Sequence, residues 1–103
     1  MCGAECLRCA KEVPEGLQTI EDRMTDISAE VVDELIKAVS MFPPMAREHD
    51  GYAVILEELD ELWTEIKANK VPGVKQRMRK EAIQVAAMAM RFVLDVCDSP
   101  GKE

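Results

Sequence analysis

Apolar side chains recur along the first half of the chain at Leu17, Ile20, Met24, Ile27, Val31, Leu35 and Val39. Steps of three and four residues place them on one stripe of a helix. Ser28 offers a cap for a new start inside that stretch, so it reads as one helix or two. Phe42-Pro43-Pro44 ends it, because proline pushes the preceding residue out of helical backbone. A short loop with Glu48, His49 and Asp50 follows. A second helix is predicted over about 48–69, with Ile55, Leu59, Leu62 and Ile66 as its core line. "NKVPGV" breaks the chain at Pro72 and Gly73. A last helix is predicted over about 74–97, and "DSPGKE" is a tail. No strand pattern or internal repeat interrupts this reading.

The last helix is unusual. With about 100° of turn per residue, its apolar side chains from Ala82 to Cys97 leave only a narrow polar sector, shared by Gln84, Arg91 and Asp95. A helix apolar nearly all round is buried on most sides. One bundle of this size cannot cover it, so a second subunit is expected to. The predicted architecture is all-α: an antiparallel helical bundle of three to four helices, completed by oligomerisation as a homodimer or homotetramer. Residues 1–14 read as an irregular extension, 15–97 as the domain and 98–103 as the tail.

Composition narrows the function. The 103 residues are 48% hydrophobic but only 4% aromatic, so the core is aliphatic. Twenty acids against 13 bases give a formal charge of -7. Such a chain repels a phosphate backbone, which argues against general nucleic-acid binding. It suits the collection of divalent cations. No apolar run approaches the roughly 20 residues that span a membrane, and the first ten residues lack the apolar stretch of a signal peptide. A cytoplasmic protein with reduced thiols is the expectation.

"GYAVILEELDELWTEIK" (51–67) alternates apolar and acidic residues. Glu58 and Glu61 are an i, i+3 pair at the edge of the core stripe. Glu81, on the next helix, is flanked by Val85, Met88 and Phe92. A carboxylate in apolar company costs free energy unless it is paired or bound to metal. Facing helices that each offer carboxylates are how bundles build metal sites. Oxygen-only ligands suit Mg²⁺ or Mn²⁺. The plainer reading is a solvated acidic helix.

These residues also resemble a known family. "EELDE" (57–61) is similar to the EExxE motif of the MazG-like all-α nucleoside triphosphate pyrophosphohydrolases. That family carries a second motif, ExxD, on a following helix. Here residues 62–80 separate Glu61 from Glu81, and "EAIQVAAMAMRF" resembles the second-motif helix. The likeness covers about residues 28–97. It implies cleavage of a nucleoside triphosphate to monophosphate and pyrophosphate with Mg²⁺ or Mn²⁺. By motif match Glu58, Glu61 and Glu81 become metal ligands, with Gln84 where the family has Asp. The carbonyl of Gln84 can ligate but brings no charge. Glu57, with Glu61, is the candidate for catalysis, Glu57 orienting the water or holding a second metal. A relative that binds nucleotides with little turnover, or a non-enzymatic helical interaction module, are the alternatives.

Lys75, Arg77, Arg79 and Lys80 crowd the start of the last helix, against its dipole. They are a solvated first turn or, at Arg77 and Lys80 especially, a phosphate-capture device. Trp63, Tyr52 and His49 are candidates for contact with the nucleoside, although Trp63 also suits a core or interface position. Cys2, Cys6 and Cys9 would make a zinc site only with a fourth ligand such as Cys97 or His49. Reduced thiols are the simpler reading.

Overall fold

The computed structural model describes residues 18–68 and 71–99. Three α-helices carry the chain: α1 (Ile20–Met41), α2 (Glu48–Lys67) and α3 (Val74–Phe92). A π-helical stretch, Val93–Cys97, continues α3. No strand occurs among the described residues. The N-terminal extension, Cys2, Cys6, Cys9, Leu17 and most of the tail lie outside the described residues.

Helix α1 is a single helix. Thr19 caps it, its hydroxyl accepting from the Asp22 amide at 3.0 Å while the Asp22 carboxylate accepts from the Thr19 amide at 3.3 Å. This reciprocal box satisfies two otherwise orphaned donors. Ser28 does not start a second helix, because no Gly or Pro breaks the backbone between 20 and 41. Phe42 is extended (φ -129°, ψ 147°) ahead of Pro43 and ends the helix, as expected. Glu48, His49 and Asp50 belong to the first turn of α2 rather than to a loop. Two acids there complement the helix dipole. Gly73 sits at φ 78°, a left-handed turn that glycine makes without strain, and α3 starts after it.

Helix α3 lies between the other two, which have little contact with each other. Side-chain pairings fix the directions. Arg79 bonds Glu30, Gln84 bonds Glu34, and Arg91 bonds the Ala38 and Phe42 carbonyls, so α1 and α3 run parallel. Gly51 abuts Phe92 at one end and Glu65 pairs with Arg77 at the other, so α2 and α3 are antiparallel. The result is a slab, 46 × 45 × 20 Å.

The core is small. Val31, Leu35, Met45, Ile83, Ala87 and Met88 form it, with Val54, Ile55, Phe92 and Val96 packed around it. Two expected core lines are only partly buried. Along α1 only Val31 and Leu35 are buried, while Ile20, Met24, Ile27 and Val39 are exposed. The register explains Ile20 and Met24: with Glu30 opposite Arg79, residues 20–24 lie beyond the start of α3. Along α2, Leu59 and Ile66 face outward and Gly51 faces in.

The narrow polar sector of α3 is turned inward, not outward. Arg91 is only 4% exposed. Its guanidinium donates to the carbonyls of Ala38 and Phe42, both at 2.9 Å, and to Asp95 Oδ2 at 2.9 Å. Asp95 also accepts the Met45 amide at 3.0 Å. One buried ion pair thus closes the C-terminal end of α1, adding a donor to the Ala38 carbonyl, which already accepts the Phe42 amide at 2.9 Å, and supplying one to the Phe42 carbonyl; it also pins the Pro43-Pro44 loop. The side of α3 carrying Ala82, Ala89, Met90 and Val93 is exposed instead.

Candidate metal centre

Glu58 and Glu61 project from successive turns of α2, and Glu81 projects from the facing side of α3. One carboxylate oxygen from each lies within 4.8 Å of the other two. Three of the four residues expected to ligate a metal, Glu58, Glu61 and Glu81, are therefore brought together. Glu58 and Glu81 are half-buried and Glu61 is exposed.

The neighbouring turn shows what makes this arrangement unusual. Glu65 lies four residues after Glu61, and Arg77 four before Glu81. Those two form an ordinary ion pair, Nε to Oε1 at 2.8 Å. One turn along the same interface, Glu61 meets Glu81, an acid where a base would stabilise the contact. Burial lifts the Glu58 carboxyl above its usual range, and the charges of Glu61, Glu81 and Glu57 add to this. Burial also raises Glu81, followed by the charge of Glu61 and a hydrogen bond with it, while Lys80 opposes the rise. Both shifts follow from desolvation and like charge. A hard dication between the three would reverse the repulsion, and carboxylate oxygens on two helices fit Mg²⁺ or Mn²⁺.

The remaining candidates fall in different places. Glu57 is exposed on α2, beside Asp60, and its charge reaches Glu58. Lys80 stands near both Glu81 and Glu34, its charge opposing the rise at the first and adding to the lowering of the second. Arg77 is committed to Glu65 and, at 3.4 Å, to the Pro72 carbonyl, which leaves it poorly placed to capture phosphate. His49 is exposed nine residues before Glu58, about 14 Å along the helix by rise. Trp63 is also exposed, with Lys67 Nζ 5.7 Å from its ring centroid. It lies five residues from Glu58, on another side of α2. Gln84 departs from the motif reading: its amide donates to Glu34 Oε1 at 2.7 Å, toward α1 and not toward the acids of α2. Cys97 is exposed and its thiol is free.

Sequence reasoning missed the groove between α1 and α3, about 490 Å³, walled by Glu30, Glu34, Lys37, Arg79, Lys80 and Gln84. Arg79 pairs with Glu30 there at 2.6 Å and Lys37 with Glu34 at 3.1 Å. Glu30 and Glu34 do share one helix face at i, i+4, but nothing in their spacing names α3 as the partner.

The chain matches no family model, no curated protein and no solved structure. No helix among the described residues is long and apolar enough to cross a membrane.

Proposed function

We propose that this protein is a metal-dependent nucleoside triphosphate pyrophosphohydrolase, holding Mg²⁺ or Mn²⁺ on Glu58, Glu61 and Glu81. The convergence of these three carboxylates within 4.8 Å, one turn from a normal ion pair, carries the reading. The order and spacing of the acids, similar to the MazG-like motifs, support it. The metal would neutralise phosphate oxygens and lower the pKa of a bound water. Glu57 is the nearest exposed carboxylate able to orient that water. Lys80, between the acids and the groove, is the cation placed to meet a phosphate. A cytoplasmic setting goes with a triphosphate substrate.

Gln84 favours a second reading, a protein that binds nucleotides with little turnover. Turned to Glu34, it adds no fourth carboxylate to the centre. Incubation with a panel of nucleoside triphosphates and Mg²⁺, scored for pyrophosphate release, separates the two. Release that Glu61→Gln abolishes supports the enzyme. Binding without release supports the second reading, and neither binding nor release refutes both.

We also infer that the chain works as an assembly of at least two copies. Among the described residues, seventeen large hydrophobics are more than a third exposed, against seven hydrophobic residues that are buried. Bare apolar surface on this scale favours burial against a second copy.

A further inference from the structure

Helix α2 has two apolar sides. One packs on α3 through Gly51, Val54 and Ile55. The other carries Tyr52, Leu56, Leu59, Trp63 and Ile66, all exposed, Tyr52 at 63% and Trp63 at 54%. Their spacing is 4-3-4-3, the seam of a coiled coil. At about 100° per residue they fall within a sector roughly 80° wide, about 120° around the helix from Glu58. At about 200 Å² per large residue they bare roughly 500 Å² of apolar surface, near the upper end for a monomer's largest patch. With their polar flanks they approach the roughly 800 Å² that one partner buries in a standard interface.

The flank away from α3 identifies the occupant. Its charged residues are Asp60 and Lys67, of opposite sign and one heptad apart. Two such helices laid antiparallel about a two-fold axis near Trp63 set Asp60 of each beside Lys67 of the other. The pairing occurs twice because the surface is its own complement. We propose that this α2 seam docks against the same seam of a second copy, antiparallel, with two reciprocal Asp60–Lys67 pairs. The proposal rests on the inference that the chain self-associates, and is independent of the metal chemistry.

Sedimentation equilibrium of the full chain tests it. The wild type sediments as a dimer or a multiple of one at micromolar concentration. Trp63→Glu shifts it to the monomer, with circular dichroism confirming that the helices persist. Asp60→Lys and Lys67→Asp each weaken association by about three- to tenfold, on the scale of two exposed ion pairs per dimer. Together they restore it, because the reciprocal pairs re-form with the signs exchanged. These two positions are exposed, so the exchange remains informative even if Trp63→Glu misfolds. A monomeric wild type overturns both the assembly and the seam. A dimer indifferent to Trp63→Glu and to the single charge reversals overturns the seam alone. Loss of association without rescue by the double reversal overturns the antiparallel pairing.

Discussion

Replacing Glu58 by Gln tests whether the acidic centre is a site held at a cost or an incidental surface. Its carboxylate faces those of Glu61 and Glu81 within 4.8 Å. Two like charges at that distance repel by about 1 kcal/mol in water and about 3–4 kcal/mol at an effective dielectric of 20. The centre is half open to solvent, so the lower end applies, and removing the charge should stabilise the metal-free protein by about 1–2 kcal/mol. The pH dependence follows from the direction of the shift. The folded carboxyl titrates above its ordinary value of 4.5. Below that value both folded and unfolded states are protonated and no penalty exists. As pH rises through the window up to the raised folded value, the unfolded chain releases its proton first, and wild-type stability falls. Glu58→Gln therefore matches the wild type near pH 4 and exceeds it at neutral pH, by about 4–8 °C in Tm per kcal/mol. Millimolar Mg²⁺ then reverses the order. At a concentration 100-fold above Kd it adds about 2.7 kcal/mol to the wild type and little to the variant. Thermal melts followed by circular dichroism, with chelator and with Mg²⁺, read both effects. A variant less stable than wild type in chelator at neutral pH, or an equal Mg²⁺ shift in both proteins, would refute the reasoning.

Arg91→Met breaks the buried pair, removes the charged partner of Asp95 and takes a donor from the Phe42 carbonyl. A loss of about 3–5 kcal/mol is expected in urea unfolding, and a loss under 1 kcal/mol would contradict the clamp. Gly51→Ala directs a methyl into the Phe92 ring and to 3.2 Å from Met45 Sδ. It should cost about 1–3 kcal/mol by overpacking, measured in the same way. Gln84→Asp replaces a donor to Glu34 by a like charge. It should lower stability by about 1 kcal/mol and leave the Mg²⁺-induced Tm shift unchanged; an enlarged shift would place residue 84 in the centre after all.

Much of the fold was legible because helical periodicity and proline breaks are local. Pro43 and Gly73 set their boundaries through backbone sterics alone, and the i, i+3 spacing of Glu58 and Glu61 puts them on one side of α2 whatever that helix packs against. Glu81 was suspect from its apolar neighbours on the wheel, before any partner helix was known. The place of Arg91 was not legible for the same reason that made the rest readable. A wheel records which residues share a side, but not what that side meets, and the Arg91 sector meets the carbonyl end of α1. Leu59 and Ile66 show the same limit, since periodicity cannot tell an intramolecular face from a bare one on a helix that has both.

What the residues determined by themselves was an all-helical chain of three or four helices, the proline and glycine breaks between them, and acids placed to converge if α2 and α3 lie antiparallel. What only the tertiary structure decided was the order of packing, with α3 between α1 and α2. That order turned Gln84 toward Glu34, committed Arg77 to Glu65, and left Tyr52 and Trp63 uncovered. The reason is physical: rise and turn per residue are properties of the backbone, whereas the choice of neighbour depends on how distant side chains share a limited apolar area.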